Sequence, residues 1–540
     1  MVKTLTAAQA AEWIADGDAV MLGGFIGSVV PEAIERAIGE RFERSGKPQD
    51  LTLLFAAGQG DGKSRAVNHL AQEGLVCRVI GGHWGLVPKL QALAVNNKIE
   101  GYNLPQGVIS HLLRDTAAGK PGTLSKVGLG TFVDPRIEGG RINSRTQTDW
   151  VEVVDFRGEE FLFYRRLPVN VAILRGTTAD QNGNITMEDE CLIVESLAAA
   201  QAAKNQGGKV IVQVKRVVEA GLLDPHAVKI PGIFVDAVVV CDTPADHMQT
   251  FATQMNPAFV GRPGGEAVTP QPVDDAPDAK TIIARRAAME LRSGAILNLG
   301  IGAPEYVAAV AREAGILDQF TLTVEPGAVG GEPAAGLDFG ASRYPQAIIS
   351  QDQMFDFYDG GGIDQAFLGL AQCDRLGDIN VSRFGSRIAG CGGFINITQN
   401  AKEVLFCGTF TAQGLQTEVV NGELRIVAEG QQVKFLPAVE QITFSAAQAR
   451  KMNKPVLYIT ERAVFTLTER GLTLTEIAPG MDLKRDVLAQ MGFEPYISPG
   501  LKLMDEQIFK PQFTLRIDHE SSAKSSGCHR RRARDWSRDQ

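Results

Sequence analysis

Glu325 stands where the sequence could present a reactive carboxylate. It directly follows the apolar run Leu322–Val324 and precedes Pro326 and Gly327. A strand that ends in a carboxylate before a Pro-Gly turn places that group at the carboxyl edge of a sheet, where open α/β folds bind ligands. The locked φ of Pro326 restrains the backbone on the other side. We predict that Glu325 is catalytic, the alternative being a surface glutamate that only terminates the strand.

Two other segments carry groups that could stabilise an oxyanion. Gly392 and Gly393 lie in the run FGSRIAGCGGFINI (384–397), and glycines let backbone N–H groups approach a reacting oxygen closely. A plain turn is the alternative there. Gln106 follows Pro105 and precedes a predicted helix. Its side chain could bind a carbonyl oxygen, or it could simply cap that helix.

Several other kinds of catalytic site have little support. No Gly-rich segment has the P-loop spacing that ends in Gly-Lys-Ser/Thr, which argues against nucleoside triphosphate hydrolysis. The G-x-S-x-G motif of serine hydrolases is absent. The seven cysteines include no C-x-x-C pair that would suggest a metal or redox site. We therefore predict no metal and reduced thiols.

The elements that position these residues follow from the hydrophobic pattern. Short apolar runs alternate with amphipathic helical patterns, which predicts α/β domains with mainly parallel sheets. The segment 17–38 resembles 293–311, because each contains a strand, a Gly-rich turn, and then Pro and Glu opening a helix. Segments 172–185 and 366–379 form a second such pair. Two related halves are predicted, with chance similarity between Gly-rich turns as the alternative.

The domain boundaries follow from changes in composition. Residues 256–280 are rich in Pro, Gly and Asp without any period, and they are predicted to be a linker. This gives an N-terminal domain at 1–255 and a C-terminal domain at 281–517 that carries Glu325. Residues 518–540 are polar and Arg-rich, and are predicted to be a disordered tail.

The overall composition limits partners and location. The 540 residues are 44% hydrophobic and 22% charged, with a formal net charge of -9, which is typical of a globular protein and does not favour a nucleic-acid partner. Nowhere do about eighteen apolar residues run together, so no membrane span is predicted. The N-terminus lacks the apolar core and cleavage site of a signal peptide, and a cytoplasmic location is predicted.

In combination, these segments resemble the family I CoA-transferases, in particular the fused propionate and acetate CoA-transferases. The resemblance covers nearly everything from Val2 to about Ile508. The motifs of the second half that carry it are LNLGIGAP, VEPGAVGG, GGGIDQAFLGLAQCDRLGDINVSRF and GCGGFINITQNAKEVLFCGTF. The motifs of the first half are GGFIGSVVPE, YNLPQGVISHLLRDTAAGKPGTLSKVGLGTFVDPR and ILRGTTADQNGNI.

The resemblance implies a role for each candidate residue. Glu325 is implied as the nucleophile, while Gln106 and the backbone around Gly392 and Gly393 are implied as oxyanion stabilisers. CoA would move from a short-chain acyl-CoA to a carboxylic acid by a ping-pong mechanism through a glutamyl-CoA thioester. CoA is then a substrate and covalent intermediate, with no bound cofactor or metal. A homo-oligomer, dimer or tetramer, is also expected.

Two other functions remain open at this point. An acyl-CoA hydrolase on the same scaffold would use a carboxylate to activate water. A sugar-phosphate binding or isomerase module shares the Gly-rich α/β architecture by fold-level analogy alone. The acids also stay open, because acetate, propionate, butyrate, lactate and acetoacetate all fit the small and apolar residues near Glu325.

Overall fold

Two large sheets are built from the apolar runs of the sequence. They are seen in a computed structural model that describes residues 1–265, 277–515 and 517. The first sheet has eight strands, and every neighbouring pair is parallel. In spatial order its strands are Lys3–Leu5, Ala237–Val240, Lys209–Val214, Val171–Arg175, Ala19–Leu22, Leu51–Phe55, Val76–Gly81 and Glu100–Asn103.

The second sheet has ten strands and a parallel centre flanked by antiparallel neighbours. In spatial order its strands are Ala347–Ile348, Ala328–Val329, Thr321–Thr323, Ile296–Leu299, Gln365–Gly369, Glu403–Cys407, Val456–Ile459, Ala463–Thr468, Gly471–Ile477 and Tyr496–Leu503. The predicted α/β class with mainly parallel sheets is confirmed.

Helices connect the strands and cover the sheets. In the described ranges they are α1 (Ala7–Ala11), α2 (Glu32–Ser45), α3 (Pro88–Val95), α4 (Gln106–Ala117), α5 (Ser196–Asn205), α6 (Ala279–Ala288), α7 (Glu305–Glu313), α8 (Gln351–Asp359), α9 (Phe394–Asn400) and α10 (Ala446–Lys451). Among the described residues, no helix has the length and apolar character needed to cross a membrane.

Smaller sheets complete the two halves. They contain the strand groups Arg216–Val218, Thr178–Asp180, Ile185–Thr186 and Val228–Ile230; Gly122–Ser125, Glu159–Arg165 and Val151–Phe156; Ile379–Asn380, Gln372–Asp374 and Phe435–Leu436; Glu332–Pro333 and Ser342–Arg343; Arg383–Phe384 and Arg387–Ile388; Thr411–Ala412 and Gln432–Val433; Gln416–Val420 and Glu423–Ala428.

The central strands of the large sheets are buried on both faces, which explains why they read as continuous apolar runs. In the first sheet, Val20 and Leu53 pack into one apolar cluster, whereas Met21 and Leu54 pack into another on the opposite face. Successive side chains of a strand point to opposite faces, so a sheet covered on both sides needs apolar residues at every position.

The two halves repeat the same strand arrangement. The strand that precedes Gly23 pairs with the strand of Ile173, and the Gly23 N–H donates to the Ile173 carbonyl at 2.9 Å. In the second half, the strand before Gly300 pairs with that of Phe367, and the Gly300 N–H donates to the Phe367 carbonyl at 2.8 Å. The repeated sequence segments therefore occupy equivalent positions.

The predicted linker is described only in part. Residues 266–276 and the predicted tail at 518–540 lie outside the described ranges. At the start of the linker, Phe259 is buried, and the Ala258 carbonyl accepts a hydrogen bond of 2.7 Å from the Tyr344 N–H. This part of the segment therefore packs against the second half.

Candidate active site

The position of Glu325 follows from the strand and turn around it. The strand Thr321–Thr323 runs parallel to Ile296–Leu299, so Glu325 lies at the carboxyl edge of the second sheet. Gly327 has φ +128°, and a Cβ atom there would lie 2.0 Å from the Ile349 carbonyl oxygen. Only glycine fits this turn. The predicted placement of the carboxylate at a sheet edge is thus present in the structure.

A cavity of about 350 Å³ lies between the two halves at this edge. Segments that follow strands of both sheets contribute to its wall, which places the carboxyl ends of the sheets on either side of one cleft. The apolar wall includes Phe25, Ile26, Leu86, Leu337, Phe339, Val381, Phe394 and Ile397. The polar side chains that line it are His83, Gln106, Asn298 and Glu325.

The predicted oxyanion groups come together in this cleft. Gln106 begins α4, and its backbone N–H donates to the Gly392 carbonyl at 2.9 Å. A Cβ atom on Gly392 would lie 3.6 Å from Gln106 Oε1, and one on Gly393 would lie 3.6 Å from Glu325 Cγ. All four predicted residues therefore line one short stretch of wall.

The two glycines differ in what their N–H groups can do. The Gly392 N–H donates to the Gly82 carbonyl at 2.7 Å, so it is already engaged. The Gly393 N–H has no acceptor among the residues that the structure describes. Of the two, Gly393 is the one whose backbone N–H is available to a reacting oxygen.

Burial and hydrogen bonding act in opposite directions on the pKa of Glu325. Burial raises the pKa of Glu325, while its own backbone N–H and the side-chain amide of Asn298 oppose that increase. Asn298 Nδ2 also donates to the Thr323 carbonyl and to Tyr358 Oη, each at 3.3 Å. The Tyr358 hydroxyl in turn donates to Thr323 Oγ1 at 2.8 Å. The amide that faces the carboxylate is therefore held in place.

Sequence reasoning missed Asn298 and His83. Asn298 is a polar residue inside an apolar strand run, and this was the available signal. Burial and the nearby positive charge of Arg387 lower the pKa of His83 to about 4, so the imidazole is neutral at pH 7. Nothing in the sequence around His83 indicates either its burial or its neighbour.

A thiol also lines the cleft. Cys391 precedes Gly392, and burial raises the pKa of its thiol well above the usual range. The thiolate is the nucleophilic form, so this cysteine is a weak nucleophile at neutral pH. Within the described ranges, no group of three or more His, Cys, Asp or Glu side chains could hold a metal ion.

The cleft geometry agrees with what the chain resembles among known proteins. Residues 4–241 match the family Coenzyme A transferase. Caffeate CoA-transferase from Acetobacterium woodii is 46% identical over 520 residues, which cover 95% of this chain and 98% of that protein. The chain belongs to the coenzyme A transferase family. The resemblance predicted from the sequence is confirmed, and the protein is a CoA-transferase.

Other relatives of this CoA-transferase support the same assignment. Acetate CoA-transferase YdiF from Escherichia coli K12 is 42% identical, over 94% of this chain and 95% of YdiF. The crystal structure of acyl-CoA transferase YdiF from Escherichia coli O157:H7, a thioester complex with CoA, matches with a TM-score of 0.89 and 41% identity. That match covers 96% of this chain and 98% of the YdiF chain.

Proposed function

We propose that this CoA-transferase moves CoA between short-chain acyl-CoA and carboxylic acids through a covalent thioester on Glu325. The observation that carries the proposal is the position of Glu325 in a cleft between the halves, where its Cγ would lie 3.6 Å from a Cβ atom on Gly393, whose N–H has no acceptor among the described residues. The thioester complex of YdiF with CoA supports it, because YdiF shares the fold over nearly the whole chain.

Each step of the proposed reaction conserves the energy of the thioester. The Glu325 carboxylate attacks the acyl carbon, and the C–S bond breaks to give a mixed anhydride and the CoA thiolate. The thiolate then attacks the glutamyl carbonyl, which releases the first acid and leaves Glu325 as its CoA thioester. The incoming carboxylate reverses both steps with its own acyl group. No net proton transfer or redox change is required.

The cleft supplies what these steps need. Each attack creates a tetrahedral oxyanion, and a donor about 3 Å from that oxygen can contribute about 3 kcal/mol. The Gly393 N–H and the Gln106 side chain are the proposed donors. The apolar wall keeps water from the anhydride and the thioester, which favours transfer over hydrolysis.

The acids are proposed to be short-chain, such as acetate and propionate. A mainly apolar cavity of about 350 Å³ accepts a small acyl group without charged contacts beyond the nucleophile. The relatives include a caffeate CoA-transferase and an acetate CoA-transferase, so a large and a small acid can be compared as acceptors. Transfer from acetyl-CoA to propionate and to caffeate should be compared, and a higher kcat/KM for caffeate would overturn the short-chain proposal.

Ping-pong kinetics are expected, because the covalent enzyme forms before the second acid binds. Varying acyl-CoA at several fixed acid concentrations should give parallel double-reciprocal lines. Hydrolysis of acyl-CoA without an acceptor acid, measured in the same assay, should be much slower than transfer. Intersecting lines would indicate a ternary complex, and fast hydrolysis without an acceptor would favour the hydrolase alternative.

The pH dependence should reflect the raised pKa of Glu325. Attack needs the ionised carboxylate. The kcat/KM should therefore fall as the pH drops through the pKa of Glu325, which lies above that of an exposed glutamate. Asn298→Ala removes a group that favours the charged form, so its acid limb should move to still higher pH. Profiles from about pH 4 to pH 8 would measure this. If the acid limb of the Asn298→Ala profile lies at the same pH as that of wild type, the assignment of this limb to Glu325 is wrong.

A further inference from the structure

A second cavity lies behind one wall of the cleft that contains Glu325. Its volume is about 310 Å³, close to the volume of about 350 Å³ of the cleft itself. Among the described residues, Phe339 is the only one that lines both the cleft and this second cavity. The side chain of Phe339 therefore forms part of the wall between them.

Phe339 lies at the closed end of the cleft, beside the segment that carries Glu325. Phe339 packs in one apolar cluster with Phe25 and with Val324, the residue directly before Glu325. Phe25 is 3% exposed and Phe339 is 5% exposed, whereas Ile301 elsewhere on the cleft wall is 57% exposed. The charged nucleotide end of CoA must stay on the solvent side, so the acyl group of an acyl-CoA extends toward the buried Phe339 end.

The residues around Phe339 hold its ring in this position. The rings of Phe25 and Phe339 have centroids 6.0 Å apart. Gly340 has φ +105°, and a Cβ atom there would lie 2.6 Å from Phe25 Cδ1, so only glycine leaves room for the Phe25 ring. On the other side of Phe339, the Asp338 carboxylate accepts a hydrogen bond of 3.2 Å from the Thr253 hydroxyl. The segment that carries Phe339 is therefore anchored on both sides.

Small and apolar side chains leave the second cavity open next to Phe339. Ala334 lines this cavity and packs in the same apolar cluster as Phe339. Leu299, at the end of a central strand, and Ala308 and Ala309, on α7, also line it. An aliphatic chain that passed the position of the Phe339 ring would therefore meet a space partly lined by apolar groups, and burial there would favour its binding.

We infer that Phe339 determines the chain-length specificity of the enzyme. Its ring closes the acyl end of the cleft and excludes the acyl chain from the second cavity, which limits the substrates to short-chain acids. Removing the ring would join the two cavities and make room for an unbranched chain of about six carbons, because a close-packed wall yields only where side-chain volume is removed. The inference rests on the proposed function, since it takes the acyl group to lie beside Glu325 during transfer.

The test compares hexanoate and propionate as acceptor acids, with acetyl-CoA as the donor, by measuring kcat/KM for each acid. The wild-type enzyme should favour propionate. Phe339→Ala should raise the ratio of kcat/KM for hexanoate to kcat/KM for propionate by about tenfold to a hundredfold, because the added methylene groups gain an apolar space from which the ring excluded them.

Two further substitutions test whether the longer chain enters the second cavity. Ala309 lines the second cavity but not the cleft, so Ala309→Phe should reduce the space in that cavity. In the wild-type background it should change neither acid, whereas in the Phe339→Ala background it should remove the gain for hexanoate. Phe320→Ala is the matched control, because Phe320 is 9% exposed and lines neither cavity. It should lower thermal stability and leave the ratio unchanged.

The possible outcomes separate this inference from the proposed function. An unchanged ratio in folded Phe339→Ala would overturn the inference, and so would a gain for hexanoate that persists when Ala309→Phe is added or that also occurs in Phe320→Ala. If Phe339→Ala does not fold, Phe339→Leu provides the same comparison with a smaller loss of volume. A wild-type enzyme that forms no CoA adduct on Glu325 from acetyl-CoA would instead overturn the proposed function.

Discussion

Glu325→Ala is expected to abolish CoA transfer, lowering kcat by about 10⁴-fold or more, because the variant lacks the carboxylate that we propose forms the covalent intermediate. The fold should survive, since the side chain is partly exposed to the cleft. The measurement combines a transfer assay with the mass of the peptide that contains Glu325, after treatment with acyl-CoA and hydroxylamine or borohydride. The adduct should be present in wild type and absent from the variant.

Two further variants test whether the charge of Glu325 itself is required for transfer. Glu325→Gln keeps the size of the side chain but removes its charge, and should be as inactive as alanine at first. Glu332→Ala is the matched control, because Glu332 lies in the same segment and pairs with Arg312. It should retain transfer. Transfer at the wild-type rate by Glu325→Ala would remove this carboxylate from the mechanism.

Gln106→Ala is expected to slow adduct formation by about tenfold to a thousandfold, the effect of losing one oxyanion donor. The binding of CoA should change much less, because the role proposed for the amide is to stabilise the charge that develops during attack. Single-turnover experiments with acyl-CoA would measure the two quantities separately.

Gln106→Glu tests whether a negative charge at this position slows adduct formation, because the two side chains have nearly the same shape. An ionised carboxylate at this position would repel the oxyanion, so the variant should be slower than Gln106→Ala. If Gln106→Ala forms the adduct within about twofold of the wild-type rate, Gln106 has no catalytic role. The Gly393 N–H would then be the remaining candidate donor in this part of the cleft.

The features that could be predicted from the sequence are those that depend on residues close together in the chain. Leu322–Val324 followed by Glu325 and a Pro-Gly turn is a local signal, and the structure places that glutamate at the edge where the strand ends. The repeated segments likewise predicted equivalent positions, and Gly23 and Gly300 make the same kind of backbone hydrogen bond. Such features depend on neighbours in sequence and on the geometry common to parallel sheets.

The features that could not be predicted depend on partners from distant segments. The sequence offered Gly392 and Gly393 as equal candidates, but the Gly82 carbonyl of the other half occupies only the first N–H. The neutral state of His83 depends on burial and on Arg387, neither of which leaves a local pattern.

The sequence by itself determined the α/β class, the two related halves, the family resemblance and the position of Glu325 at a strand end. Apolar periodicity, turn residues and ordered motifs are sufficient for these. Only the tertiary structure decided which groups share the cleft with Glu325, and that Phe339 lies between the cleft and a second cavity. Hydrogen-bond partners and pKa values depend on packing between segments far apart in the chain, and no local pattern encodes that packing.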